Sequence, residues 1–294
     1  MTRAETTTTT RHYIQHVVPG IRIAGDMEQW NATEPTQGRK IALILHGAMG
    51  HKDYLFQKKL AKQLPIDSFR FDFRANHETP GTWNIANFED DLEDLRIVGE
   101  YLTKQLGYRI AMIVAHSRAT FVSSYWICNS EWAKSVEAFV NVSGRYRMNL
   151  NRVCLVDRTN HELYGAQFKE RGFYEWKTRV AGKPVIGIIR PQDVSKFGAW
   201  DNSYLWTEFP QHIDVLTIHG FRDDIVPPYD AIIYARVYSS RSPGTHTLHM
   251  IEGADHNFIG HFEEVIETVI GWWALRGSGN LKTGIWNTGV KGKL

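Results

Sequence analysis

The chain has 294 residues, 43% of them apolar and 12% aromatic, with 34 basic and 32 acidic side chains and a formal net charge of +2. That is enough apolar material for one domain with a modest insertion, and the scattered, nearly balanced charge excludes a polyanion-binding chain such as a nucleic-acid binder. Two cysteines, Cys128 and Cys154, make neither a disulfide framework nor a zinc site; no apolar run reaches the ~18 residues of a membrane span, and no leading stretch reads as a signal peptide, so a cytoplasmic setting is expected.

Met1 to Arg11, with five consecutive threonines, is low in complexity and is expected to be a disordered tail. Tyr13–Val18 and Ile21–Gln29 read as two strands of an antiparallel edge. From residue 40 to 146 strand and helix alternate: strands at 40–45, 68–73, 109–114 and 136–142, helices at 52–63, 87–105 and 118–127. Such alternation predicts a parallel, doubly wound α/β sheet. It breaks over 147–210, a stretch rich in charge and aromatic rings that reads as a cap inserted into the core. It resumes over 211–276, with strands at 213–218 and 245–251 and helices at 229–238 and 258–274. The core thus comes in two parts, 12–146 and 211–276. The end, 277–294, lacks apolar periodicity, with Trp286 as its one anchor. Cys128, on the helix at 118–127 and its continuation, reads as a buried thiol.

Val114-Ala115-His116-Ser117-Arg118-Ala119 places a serine between an apolar strand and a helix, the setting of a nucleophile elbow. The usual Gly-x-Ser-x-Gly pattern leaves room for the turn, and here both outer positions are alanine. A serine between small residues is also a common helix cap. Two further strands end in loops with reactive side chains, His219-Gly220-Phe221-Arg222-Asp223-Asp224 and Glu252-Gly253-Ala254-Asp255-His256. Ser, Asp and His at successive strand ends, in that order, match one of the known triad orders and lie where open α/β sheets bind ligands.

These landmarks, together with His46-Gly47 after the first central strand and Phe71-Asp72-Phe73-Arg74 after the second, resemble the α/β-hydrolases, in their serine-aminopeptidase-like and feruloyl-esterase-like branch. The resemblance spans roughly residues 12 to 275. Where those proteins carry Arg-Gly-x-Gly-x-Ser, this chain has Arg74-Ala75-Asn76-His77-Glu78-Thr79. The resemblance implies the α/β-hydrolase fold, a mostly parallel sheet with helices on both faces and a small cap, and a serine hydrolase acting on a small-molecule ester, amide or thioester. Other reactions of the same triad, carbon–carbon cleavage or acyl transfer, and a catalytically silent binding protein are the alternatives. Oligomeric state is left open.

Chemistry assigns the roles. A serine hydroxyl needs a base, and His256 is the candidate; the base needs an acid, and Asp223 matches the family position, with Asp224 one residue away. Asp230 reads as a helix first-turn carboxylate and Asp255 as a turn residue. The backbone N–H groups of Ala48 and Arg118 are the candidate oxyanion donors. His46 is expected to brace its turn and His116 to pack under the elbow. The Arg118 side chain is read as surface or cap-facing, or as an anchor for a substrate carboxylate. Tyr174, Trp176, Trp200 and Trp206 are the candidate pocket residues, in a cap whose rings suit an aromatic or medium-chain acyl group. His51, His77, Glu78, His256 and His261 lack metal-site spacing, and no phosphate-binding loop is present, so neither metal nor cofactor is expected.

Overall fold

The computed structural model describes residues 7–148 and 157–285. Its centre is a run of largely apolar strands that are buried at every position after the first because both faces are covered. These are β3 (Lys40–Leu45), β5 (Arg109–His116), β6 (Ala138–Val142), β9 (Asp214–Gly220) and β10 (His246–Ile251), preceded by β1 (Thr8–Gln15), β2 (Arg22–Gln29) and β4 (Asp67–Phe71). A two-residue strand, β11 (Gly284–Ile285), completes a nine-stranded sheet in the order β1-β2-β4-β3-β5-β6-β9-β10-β11. From β4 to β11 neighbouring strands are parallel, while β2 lies antiparallel to both β1 and β4.

Side chains alternate across each strand, so one strand feeds two cores. Leu43, Leu45, Ile113, Ala115 and Phe139 face α2 (Phe88–Glu100), α3 (Arg118–Asn129) and α6 (Tyr229–Tyr238). Ala42, Ile44, Met112, Val114 and Val140 face α1 (Gln57–Gln63) and α7 (Phe262–Gly277). The carboxyl ends of β5, β9 and β10 therefore open on the same edge of the sheet. Between β6 and β9 stand α4 (Asp157–Arg171), an antiparallel hairpin of β7 (Tyr174–Val180) and β8 (Lys183–Ile189), and α5 (Pro191–Gly198).

Several boundaries differ from the sequence reading, each for a local reason. β1 begins at Thr8, inside the expected tail, because β-branched Thr8–Thr10 pair with Met27–Gln29 and Thr9 donates to Glu28. α1 starts at Gln57 rather than 52. Lys52 is drawn into an ion pair with Asp72 (2.9 Å), and Asp53 accepts from Arg70 (2.8 Å), which holds 51–56 in turns. α2 ends at Glu100 and passes into a π-helical turn over Tyr101–Gln105. α7 begins at Phe262 because Asp255 accepts from the N–H groups of Asn257 and Ile259 and closes a turn, with Phe258 at φ 56°. The final stretch contributes β11, paired with Thr247–Leu248. Trp286 and Cys154 lie outside the described residues. Cys128 is half-buried, and burial pushes its thiol up to about 12. Among the described residues no helix is long and apolar enough to cross a membrane.

Candidate active site

Ser117 stands between β5 and α3 with φ 53° and ψ −120°, a conformation that costs a non-glycine residue on the order of 1–3 kcal/mol. It is held there from both sides. Its N–H donates to the Val142 carbonyl (2.8 Å), and its own carbonyl accepts from Thr120 N (3.0 Å) and Thr120 Oγ1 (2.7 Å). Ala115 is paired within β5 and Ala119 is buried in the first turn of α3, so the methyl groups that replace glycine fit the turn. Gly47 is different. A Cβ there would lie 3.0 Å from Ser117 Cβ and 3.2 Å from His116 Nδ1, so a side chain would press the loop after β3 and the elbow apart by a few tenths of an ångström.

The three sequence candidates come together. Ser117 Oγ lies 2.9 Å from His256 Nε2, and His256 Nδ1 lies 2.8 Å from Asp223 Oδ2. These partners assign the tautomer: Nδ1–H donates to the carboxylate, which leaves Nε2 free to accept the serine proton. Asp223 Oδ1 accepts from the N–H groups of Ile225 (3.0 Å) and Val226 (2.7 Å). Burial opposes the charge on Asp223, but hydrogen bonds and attraction from His219 and His256 more than offset it and hold the carboxyl well below the usual range. Asp224 is exposed and turned to solvent and the cavity. Asp230 sits in the first turn of α6, where it accepts from Tyr146 N (2.9 Å), Arg147 N (3.2 Å) and Arg147 Nε (2.5 Å) and clamps the chain at the start of the insertion.

A second tier of histidines fixes the first. His219, which the sequence reading left without a role, approaches Asp223 Oδ2 (3.2 Å) and donates from Nε2 to the Val226 carbonyl (3.0 Å). The signal was present: His46, His116 and His219 each close an apolar strand run. His116 Nε2 donates to the His256 carbonyl (3.0 Å), and Ser143 Oγ reaches the same oxygen (3.3 Å). His46 donates from Nδ1 to Gly47 O (2.8 Å) and accepts at Nε2 from Phe73 N (3.0 Å), bracing the turn before Ala48. Burial lowers His116 to about 3 and His46 to about 4, so both stay neutral.

Ser117 and His256 open into a cavity of about 690 Å³ whose wall includes Ala48 and Arg118. The Arg118 side chain is neither on the surface nor free for a ligand. It donates to Asp91 Oδ2 (2.7 Å), Asn87 O (3.2 Å) and Ile85 O and stacks over Phe88, tying α3 to α2. Tyr174 and Trp176 line the cavity. Trp200 and Trp206 do not stand there. Trp200 packs edge-on against Phe88 and against Phe121 in the core, and Trp206 is exposed and donates to Tyr146 Oη (2.8 Å). Asp72, His77 and Glu78 bring ligand atoms within 4.8 Å of one another, but Lys52 bridges the two carboxylates and Arg11 also pairs with Glu78, so their charge is already met. His261 lies 3.6 Å from Glu264.

No protein-family model matches the chain. An uncharacterized protein of Saccharomyces cerevisiae, YDL057W, is 29% identical over 238 residues, covering 75% of this chain and 69% of the relative. Among solved structures, Est1E from Butyrivibrio proteoclasticus gives a TM-score of 0.66 at 17% identity over 91% of this chain and 99% of that one. The same protein with ferulic acid bound gives 0.66 at 15% identity, over 91% and 99%. The Pyrococcus furiosus esterase PF2001 gives 0.65 at 14%, over 92% and 91%. The chain has the α/β-hydrolase fold.

Proposed function

We propose that the chain is a serine hydrolase that cleaves a carboxylic ester through an acyl-enzyme. One observation carries the proposal: the chain of contacts Ser117–His256–Asp223, at 2.9 and 2.8 Å, stands at the wall of an apolar cavity. Ser117 Oγ attacks the ester carbonyl as His256 Nε2 takes its proton, and Asp223 stabilises the imidazolium. The oxyanion forms beside the N–H groups of Ala48 and Arg118, each such donor being worth ~2.7–4 kcal/mol to the transition state. Collapse expels the alcohol, which receives the proton from His256. Water then attacks the acyl-enzyme by the same route and releases the acid.

Among the structural neighbours, the esterase PF2001 and Est1E with ferulic acid bound support an ester over an amide. The cavity falls within the ~300–1,000 Å³ range of small-molecule sites. Tyr174 and Trp176 on its wall suit an aromatic or medium-chain group. Turnover of 4-nitrophenyl and hydroxycinnamate esters by the native chain and by Ser117→Ala tests the reading. Loss on the order of 10⁴-fold or more in the variant, with its fold intact, is expected. Equal turnover in both removes Ser117 from the mechanism.

A further inference from the structure

The wall of this cavity carries charge as well as rings. Among the described residues three arginines line it, Arg118, Arg145 and Arg179, against one wall carboxylate, Asp224. Arg118 is neutralised by Asp91 (2.7 Å). Arg74 and Arg147, close in the fold, likewise pair with Asp90 (2.8 Å) and Asp230 (2.5 Å). Arg145 and Arg179 differ: among the described residues no carboxylate comes within ion-pair distance of either, but Arg179 is exposed on β7 and donates to the Gly182 carbonyl (2.5 Å), whereas Arg145 is partly buried. Its Nη2 donates to the Ile225 carbonyl (2.6 Å) at the exposed edge, and its Nη1 is buried without a hydrogen-bond partner.

The position of Arg145 is fixed by its backbone. Its carbonyl accepts from Tyr234 Oη (2.9 Å), and the next two N–H groups are held by Asp230. It follows β6 by way of Ser143 and Gly144, and its guanidinium rests on the 223–226 loop that carries Asp223. A partly buried cation without a counter-charge is costly unless an anion meets it, and guanidinium is well suited to a carboxylate.

Resting on the hydrolase reading above, we infer that the ester carries a carboxylate and that Arg145 is the residue that receives it. The carboxylate can belong to the acid part of the ester, as in a dicarboxylic half-ester, or to the alcohol part, as in an acylated hydroxybenzoate.

Paired esters distinguish the two sources. 4-Nitrophenyl hydrogen adipate is compared with 4-nitrophenyl hexanoate, and 4-acetoxybenzoate with its methyl ester, each rate divided by hydroxide hydrolysis of the same ester. In at least one pair the native chain should favour the charged member in kcat/KM, by about 10- to 100-fold, the range of a hydrogen bond to a charged group. Arg145→Gln should abolish that preference, Arg145→Lys should keep part of it, and Arg179→Gln should leave it. A preference for the neutral ester in both pairs overturns the inference, as does a preference that survives Arg145→Gln or falls equally in Arg179→Gln. Binding of monomethyl adipate and of 4-hydroxybenzoate to Ser117→Ala, followed by calorimetry with and without Arg145→Gln, is independent of turnover. If no ester is hydrolysed, the hydrolase reading fails and this titration alone decides the site. Binding that needs Arg145 supports it, and binding indifferent to Arg145 or absent overturns it.

Discussion

Asp223 and Asp224 differ by one position in sequence and by most of what matters to a histidine. Asp223 is buried, fixed by two backbone N–H groups, and meets His256 Nδ1 at 2.8 Å. Asp224 is exposed and makes none of those contacts. In the proposed mechanism Asp223→Asn should lower kcat by about 10⁴-fold, because an amide cannot hold the imidazole in the tautomer that accepts the serine proton. Asp224→Asn should change it by less than about tenfold, since an exposed carboxylate acts only through a screened field. Steady-state kinetics on the two variants checks both, and a reversed order moves the acid by one residue. Residue-level chemistry was the most legible part of the sequence. Ser117, Asp223 and His256 each stand just past an apolar run, and that placement survives errors of a residue or two in strand ends. The role of Arg118 was not legible, because its partner Asp91 sits 27 positions away on α2.

At the scale of elements, the loop after β4 shows how this chain meets a demand usually met by glycine. Ala75 and His77, which replace the two glycines of the resembled pattern, keep left-handed backbone at φ 61° and 45°. The conformation is held by Ala75 N donating to Pro80 O (3.2 Å), Thr79 N donating to Asn76 O (3.0 Å), and Asp72 accepting from Glu78 N (3.3 Å). An alanine in that region costs ~1–2 kcal/mol, part of which glycine gives back through unfolded-state entropy. Ala75→Gly should therefore stabilise the protein by about 0.5–1 kcal/mol, read as a higher denaturant midpoint at unchanged slope. A destabilised variant would mean that the Ala75 methyl group packs usefully. Central strands were legible because burial on both faces leaves a run that is apolar inside the strand ends in β3 and β5 and broken by a few polar residues in β6, β9 and β10. The start of α1 was not, because Lys52 is helix-compatible by propensity and leaves the helix only to meet Asp72 (2.9 Å). The β7–β8 hairpin was hidden for another reason: β7 is half-exposed and intersperses its rings with Glu175, Lys177 and Arg179, so the apolar run Val185–Ile189 of β8 had no legible partner.

For the whole molecule, the buried histidines set the response to acid. Burial lowers His46 to about 4 and His116 and His246 to about 3. Their unfolded value is ~6.5, so below that pH the unfolded chain binds protons that the folded chain refuses. Stability from these groups is complete above about pH 6.5 and is lost as pH falls toward their folded values. Asp94 works the other way. Burial pushes it up to about 7, so the folded chain takes up its proton first, which favours folding as pH falls from 7 toward ~4. Asp91 is raised by burial as well, but His12, His16, His51 and His249 are lowered by it, so histidines outnumber carboxyls and predict a thermal midpoint that is level above pH 7 and falls below about pH 6. A midpoint that is flat or rising down to pH 4 would contradict the neutral histidines. The two-sided core explains why the overall topology could be read early: alternating residues of β3, β5 and β6 feed one core and then the other, and that pattern is local in sequence. The joining of the three catalytic candidates depends on strand order, which is not local.

The proposed mechanism stands on Ser117 as a nucleophile activated by His256. Treatment with a fluorophosphonate, followed by intact-mass measurement and peptide mapping, tests it without knowledge of the substrate. A single adduct is expected, on Ser117, formed at a rate that falls steeply in Asp223→Asn. No adduct, or an adduct on any other residue, would contradict it.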